Sequence, residues 1–337
     1  MELTTVWFVL IAALWIGYFV LEGFDFGVGV LLPVLGRDDV DRRVLINSIG
    51  PVWDGNEVWL VTAGAATFAA FPEWYASLFS GFYLPLLIIL VALIGRGVAF
   101  EYRGKIDTDR WRRNWDRAIF LGSLVPAFLW GVAFANIVHG VPLDAAHEYT
   151  GDLFTLLGPY GLLGGLATLS LFTLHGAVFV ALKTDGQVRR RARRLLLRGF
   201  LPVVVVAAAF LLVSQLDGGK PATWVTAGAA AGALLAGIAA AIRGREGWGF
   251  AGSAVAIALA VVTLFGNLWP NVLPSTTAAA NSLTVDNASS THYTLTVMTW
   301  VAGVFTPIVL AYQAWTYWVF RRRLTRETIV PAPRPGQ

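Results

Sequence analysis

The feature that most constrains this chain is a series of nine apolar runs, each long enough to cross a bilayer as a helix. A hydrocarbon core of about 30 Å requires about 20 helical residues. The runs are Val6–Gly29, Pro51–Ala70, Ala76–Phe100, Ala118–Val138, Tyr160–Leu182, Gly199–Leu216, Ala222–Ile242, Gly249–Leu268 and Tyr293–Phe320. The sequence therefore predicts an all-α, polytopic membrane protein with about nine transmembrane helices.

The distribution of basic residues predicts the orientation of these spans. Cytoplasmic loops of membrane proteins are enriched in Lys and Arg. If the nine spans are correct, 23 of the 25 basic residues fall on one side; the exceptions are Lys220 on the other side and Arg96 inside a span. We therefore expect the N-terminus outside and the C-terminus in the cytoplasm. The first span is expected to be retained, because Met1–Leu3 lacks the basic start of a removable signal peptide.

Composition excludes several other classes of function. The chain has no cysteine, so it cannot form disulfides, thiolate-bound zinc sites or iron–sulfur clusters. Its net charge of +4 is spread between apolar runs rather than gathered on one face, which argues against a nucleic-acid partner. Apolar residues make up 56% of the chain and charged residues 14%, as expected for a protein that lives in lipid.

Five ionisable residues fall within or at the ends of the predicted spans. Glu22 and Asp25 lie one turn apart in span one, and their spacing places them on one helix face. Asp54 and Glu57 repeat that spacing in span two, and Arg96 lies in span three. All five are expected in the cytoplasmic third of the membrane. Because buried ionisable residues in membranes usually have a function, we interpret them as a proton path, with an ion-paired packing role as the alternative.

Histidine and methionine are the remaining candidates for haem ligands. Only His175 falls inside a predicted span; the other histidines, His139, His147 and His292, fall in outer loops or at a span edge. Met298 is the only methionine within a span. One histidine and one methionine could ligate a single haem. We interpret His175 instead as a hydrogen-bonded buried histidine, and expect no metal site.

Several motifs resemble those of a known family, subunit II of the cytochrome bd-type quinol oxidases. The most distinctive is the eleven-residue segment Gly50–Leu60, which reads Gly-Pro-Val-Trp-Asp-Gly-Asn-Glu-Val-Trp-Leu. The others are Gly23–Gly29, Phe71-Pro72 with Tyr75-Ala76, and Leu174–Ala177 followed by Lys183-Thr184. Together they extend the resemblance over essentially the whole chain.

The resemblance implies an architecture for a bacterial cell-membrane protein. It implies two four-helix bundles followed by one peripheral helix and a tail. The corresponding segments are 1–138 for the first bundle, 155–268 for the second, 292–320 for the ninth helix and 321–337 for the cytoplasmic tail.

The resemblance also implies a function within an obligate heterodimer. Subunit I of such oxidases carries the quinol site and haems b558, b595 and d, where oxygen is reduced to water, and subunit II ligates no haem. Asp54 is the first candidate for a proton-uptake path, with Asp25 and Glu57 behind it. The enzyme is expected to be electrogenic without pumping protons. The resemblance is also compatible with a bound quinone, bound lipid and a small accessory subunit.

Two other functions fit the same features. A secondary transporter would also show repeated bundles and buried carboxylates, although its site is expected at the membrane midplane. A purely structural membrane scaffold would use the carboxylates for packing alone. A haem-bearing partner that co-purifies with the chain would favour the oxidase over both.

Overall fold

The computed structural model describes residues 2–329, which are mostly α-helical. The α-helices are α1 (Leu3–Leu35), α2 (Asp39–Ile49), α3 (Trp53–Ala70), α4 (Pro72–Gly81), α5 (Tyr83–Tyr102), α6 (Asp109–His139), α7 (Leu153–Leu156), α8 (Pro159–Lys183), α9 (Gly186–Gly218), α10 (Pro221–Ile242), α11 (Glu246–Leu268), α12 (His292–Val319) and α13 (Arg326–Ile329). Two short strands, β1 (Asn271–Leu273) and β2 (Leu283–Thr284), flank a 3₁₀ turn at Ala279–Asn281. The last eight residues of the predicted tail, 330–337, lie outside the described residues.

Eight of the helices in this described range are long and apolar enough to cross a membrane: α1, α5, α6, α8, α9, α10, α11 and α12. The predicted second span corresponds to α3, which has 18 residues. The first turns of α3 contain three polar residues, Asp54, Asn56 and Glu57, which lower the mean hydropathy of the helix. The all-α, polytopic prediction is confirmed, and the count is eight or nine depending on whether α3 is included.

The third predicted span, Ala76–Phe100, corresponds mainly to α5, and the structure breaks it near its start. The chain ends one helix at Gly81, turns at Phe82 and begins α5 at Tyr83. Pro85 explains the break, because it has no N–H to donate to the carbonyl group of Gly81. In the first turn of a new helix that missing donor has no consequence.

Two of the segments between the predicted spans are largely helical, which the sequence analysis did not predict. Residues after span one form α2, and the basic residues before span six form the first turns of α9. Side chains of Asp38 and Asp185 cap these helices by accepting hydrogen bonds from Asp41 N and Gly186 N, both at 2.8 Å. A search for apolar runs misses such segments, because only one face of each is buried.

Helix α1 lies at the centre of the molecule. It packs against α3 and α6 on the N-terminal half of the chain, and against α8 and α11 on the C-terminal half. The backbones of α1 and α8 touch where Gly27 meets Gly176. Helix α12 is peripheral: it contacts α1 and α3, and Leu295 is its only fully buried residue.

Segments 140–158 and 269–291 cover the end of the bundles where α6, α9 and α11 terminate. They are joined by hydrogen bonds between Val141 N and Pro274 O (3.0 Å) and between Asn281 Nδ2 and Leu143 O (3.0 Å). Ser290 N donates to Ala70 O at 2.8 Å, which ties the same cover to the end of α3. These contacts make the cover part of the folded body.

The opposite end of the bundles is crossed by residues 321–329, which we call the strap. Leu324 N donates to Lys183 O (2.8 Å), and Asp185 N donates to Leu324 O (3.0 Å). The guanidinium of Arg326 binds Asp38 (2.8 Å) and the fully buried Asp41. Burial opposes ionisation of Asp38, but the Asp41 N–H and Arg326 outweigh it and hold the pKa of that carboxyl below its usual range.

Replacing Asp41 with asparagine is expected to loosen the strap. Asp41 also binds Arg191 of α9, so the change leaves two guanidinium groups without their shared carboxylate. Removing one partner of a buried ion pair costs about 3–5 kcal/mol, and the partial exposure of both arginines places this case near the lower limit. Thermal unfolding in detergent measures the loss. Asp107→Asn is the matched control, since Asp107 is almost fully exposed, and equal stability of both variants would contradict the expectation.

Candidate functional site

A cluster of polar side chains lies inside the apolar interior, where α1, α3 and α5 face one another. Glu22, Asp25 and Arg96 have no exposed surface. Arg96 is the largest fully buried side chain in the described range, and its guanidinium lies 4.7 Å from the ring centre of Phe26 and 5.7 Å from that of Phe100. The two rings hold the cation in place without neutralising it, so its charge must be balanced by acids.

Two carboxylates balance Arg96. One guanidinium nitrogen hydrogen-bonds Glu22 Oε1 and lies 3.7 Å from Glu57 Oε2. Glu22 comes from α1, Glu57 from α3 and Arg96 from α5. Because a buried charge without a partner is strongly unfavourable, this triad fixes the relative positions of the three helices.

Asn56 extends the cluster from Asp25 to α12. Its Nδ2 donates to Asp25 Oδ2 at 2.7 Å. Its Oδ1 accepts from Tyr317 OH at 2.7 Å and from Gln313 Nε2 at 3.2 Å. Trp59 Nε1 donates to Gln313 Oε1 at 2.8 Å, which fixes the amide orientation. The peripheral helix is therefore attached to the cluster by a continuous hydrogen-bond network.

Several polar atoms of the cluster keep unused hydrogen-bonding capacity. Glu22 Oε2, Asp25 Oδ1, and Nε and one terminal nitrogen of Arg96 are buried without a partner among the described residues. Buried polar groups usually have a partner, either protein or water. Two carboxyl groups thus contact one guanidinium, a third lies beside them on Asn56, and Glu22 and Asp25 each keep a free acceptor oxygen. Such an arrangement can take up, hold and release protons.

The structure brings four of the five sequence-predicted residues together and leaves one apart. Glu22, Asp25, Glu57 and Arg96 belong to the cluster. Asp54 is exposed on the outer side of α3 and forms no hydrogen bond or ion pair with the described part of the chain. Its neighbours on that surface include apolar Val58 and Val61, which are 52% and 68% exposed.

Asn56, Gln313 and Tyr317 were missed by the sequence analysis because they are neutral. A signal was nevertheless available. Gln313 and Tyr317 are four residues apart in an otherwise apolar span, so they share one helix face. Asn56 lies in the same turn of α3 as Glu57.

His175 lies outside this cluster, in the interface between α8, α11 and α1. Its Nε2 donates to Val20 O (3.1 Å), and its Nδ1 pairs with Ser253 Oγ (2.7 Å), while the ring stacks on Phe250 at 4.6 Å. Neither ring nitrogen is available to haem iron in this arrangement. Residues 2–329 contain no group of three or more His, Cys, Asp or Glu side chains that could hold a metal ion.

Comparison with known proteins gives one consistent result. Residues 3–320 match the family described as cytochrome bd terminal oxidase subunit II. The chain is 42% identical over 331 residues to the cytochrome bd ubiquinol oxidase subunit 2 of Bacillus subtilis, covering 97% of this chain and 98% of the relative. It is 38% identical over 362 residues to the cytochrome bd-I ubiquinol oxidase subunit 2 of Escherichia coli K12, covering 96% of each chain.

The fold is also shared with a solved structure. A chain in the structure of the bd oxidase from Geobacillus thermodenitrificans superposes with a TM-score of 0.74 at 20% sequence identity. The match covers 95% of this chain and 99% of the other. It shows that the two chains share one fold over nearly their whole length.

Proposed function

This chain belongs to the cytochrome bd terminal oxidase subunit II family, and we propose that it provides the cytoplasmic proton-uptake path of a quinol:oxygen oxidoreductase. In this role it stabilises a haem-bearing subunit I and ligates no haem itself. The observation that carries the proposal is the buried cluster of Glu22, Asp25, Glu57 and Arg96. The relatives are oxidase subunits, so a secondary transporter is not favoured.

The exposure of Asp54 supports a partner on the α3 surface. A carboxylate facing lipid is unfavourable by about 2.5–3.5 kcal/mol at mid-bilayer, and less toward the ends of a span. The same cost does not arise where α3 is covered by another polar surface. We therefore place subunit I over the face of α3 that carries Asp54, Val58 and Val61, with Asp54 passing protons between the two subunits.

The path has an order that follows from burial. The side chain of Glu57 is 22% exposed and touches Arg96, whereas Glu22 and Asp25 are fully buried. A proton bound for subunit I leaves the buried carboxyls of α1 through Glu57 and reaches Asp54 last, on the surface that faces the partner. Arg96 contacts both Glu22 and Glu57, and Asn56 holds Asp25 in a fixed orientation.

This arrangement separates charge without a pump. Oxidation of two quinols near the outer face would release four protons there, and the haems b558, b595 and d that subunit I would hold would supply the electron-transfer chemistry for the four electrons. Reduction of one oxygen to two waters consumes those electrons and four protons taken from the cytoplasm. With the N-terminus outside and the strap in the cytoplasm, this chain would supply the inlet of an electrogenic enzyme in the bacterial cell membrane.

Replacing Asp54 with asparagine tests the proposal. The variant keeps the size of the side chain and removes its proton, so we expect quinol oxidase turnover to fall by about 10²-fold or more, in the range of a lost proton-transfer group. Haem absorbance per complex should be unchanged, because Asp54 makes no contact within the described chain. Oxygen consumption by the purified complex measures the first quantity, and the visible spectrum measures the second.

Glu73→Gln is the matched control, because Glu73 is a carboxylate in the first turn of α4, away from the cluster. Its turnover should equal that of the unmodified complex. Full turnover of the Asp54→Asn complex would remove Asp54 from the path, and loss of haem from that complex would show a structural role instead.

A further inference from the structure

The first turns of α9 carry two sets of arginines with different environments. Arg189 binds the buried carboxylate of Glu246 at 2.8 Å, and Arg191 binds the buried Asp41. Arg193 donates to Ile242 O at 3.2 Å. These side chains turn inward and attach α9 to α2, α10 and α11. These three guanidinium groups therefore have their partners within the protein.

The second set consists of Arg190, Arg194 and Arg198. All three are exposed, and none has an acidic partner in the part of the chain that the structure describes. Their four-residue spacing puts them on one face of α9. That face continues into apolar side chains, Leu201 and Val205, which are 60% and 56% exposed. A face that changes from cationic to apolar along one helix matches the border between lipid headgroups and acyl chains.

A cavity of about 220 Å³ lies beyond these arginines; it is lined by α9 and α10 and also by residues of α6, α8 and α11. Its lining is apolar and rich in small side chains, among them Ala207 and Ala208 of α9 and Ala230 and Ala231 of α10. Ala208 is exposed at the rim, so the cavity opens toward lipid. Protein interiors are normally close-packed, and a lipid-facing void of this size has room for a segment of an acyl chain.

The distance from the arginines to the cavity fits a lipid whose headgroup binds the arginines and whose acyl chain enters the cavity. At 1.5 Å rise per residue, Val204 lies about 9 Å beyond Arg198 along α9, and Leu211 lies about 20 Å beyond it. On the facing helix, Arg243 ends α10 and is exposed. The contact from Arg193 to Ile242 O brings that end of α10 to the same level as Arg194. Cations from both helices therefore lie at the same end of the groove, with Arg198 about 9 Å from the first residue of α9 that lines the cavity.

We propose that the groove between α9 and α10 is a binding site for an anionic phospholipid. The phosphate and its anionic headgroup bind Arg194, Arg198 and Arg243, and one acyl chain occupies the cavity. Guanidinium groups suit this ligand because they bind phosphate oxygens through paired hydrogen bonds. The site lies on the half of the chain that packs around α8, α10 and α11, and it is independent of the proton path.

Native mass spectrometry of the purified oxidase complex tests the site. The delipidated complex is titrated with phosphatidylglycerol or with phosphatidylcholine of the same acyl chains. We expect one phosphatidylglycerol to bind with clear preference, and excess inorganic phosphate not to displace it. The triple variant Arg194→Gln, Arg198→Gln, Arg243→Gln should bind it at least about tenfold more weakly, because each cation contributes to attraction of anionic lipid.

Two further variants make the result specific. The charge-matched control is Arg37→Gln, Arg43→Gln, Arg110→Gln, which removes three exposed arginines away from the groove and should leave the affinity unchanged. Ala208→Phe fills the rim of the cavity without changing charge and should weaken binding. Any one of three results would overturn the proposal: the control loses as much affinity for phosphatidylglycerol as the triple variant, phosphatidylcholine binds as tightly as phosphatidylglycerol, or Ala208→Phe binds phosphatidylglycerol as tightly as the unmodified complex.

Discussion

Replacement of Arg96 with leucine is expected to prevent the chain from accumulating as a stable complex. The change leaves Glu22 and Glu57 in the interior without the guanidinium that they share. Removing one partner of a buried ion pair costs about 3–5 kcal/mol, which is a large part of the stability of most proteins. The amount of intact complex recovered from solubilised membranes, measured on a native gel, reports the effect.

A double variant separates the structural effect from the functional one. Arg96→Leu combined with Glu22→Leu removes both charges of the fully buried pair, and such replacements are often neutral or stabilising. We expect the complex to accumulate again while its quinol oxidase turnover stays low. Normal accumulation and turnover of Arg96→Leu alone would show that the ion pair has neither role.

Replacement of Gly27 with valine is expected to have a comparable effect by a steric route. A Cβ atom on Gly27 would lie 2.0 Å from the carbonyl oxygen of Phe172 and 2.8 Å from Gly176 Cα. Both are backbone atoms of α8, so α1 and α8 would have to separate. Overpacking usually costs about 1–3 kcal/mol, and backbone contacts on this scale place the loss at or above that upper limit.

Thermal unfolding of the complex in detergent measures this loss. The matched control is Gly232→Ala on α10, where an added Cβ meets nothing within 4 Å. Because alanine favours helix more than glycine does, that variant should be as stable as the unmodified chain or slightly more stable. A Gly27→Val complex with an unchanged unfolding midpoint would contradict the close contact between α1 and α8.

The sequence predicted the membrane helices well because each depends on a local property, the length of an apolar run. It did not predict α2 or the first turns of α9, because those helices are stable only with one face packed on the bundle and their arginines paired. The break at Phe82 was also missed. Pro85 lies within an apolar run, and hydropathy does not register the missing donor of a proline.

The sequence predicted most of the residues that form the acidic cluster. It predicted their arrangement in space only in part. Asp54 and Glu57 are three residues apart, a rotation of about 60° from perfect alignment on a helix with 3.6 residues per turn. In the folded chain that rotation turns Glu57 toward Arg96 and leaves Asp54 on the outer surface. Spacing alone cannot fix how α3 is rotated, because its neighbours decide which side is buried.

The resemblance to a known family carried information that hydropathy did not. Gly27 belongs to the glycine-rich motif Gly23–Gly29, and Gly176 belongs to the motif Leu174–Ala177. The two motifs are far apart in the sequence, and the structure joins them at the α1–α8 crossing. The glycines in both motifs thus have a physical explanation in the close approach of two helices.

The position of α12 has a consequence for the biosynthesis of the chain. Of the membrane helices in residues 2–329 it is synthesised last, and it buries little of its own surface. It is attached near its start by Trp7 Nε1, which donates to Leu295 O at 3.2 Å, and farther along by Gln313 and Tyr317 on Asn56. Asn56 is synthesised early but gains its partners on α12 only after the other described membrane helices have been made. A chain interrupted before α12 therefore has an incomplete polar network around Asn56.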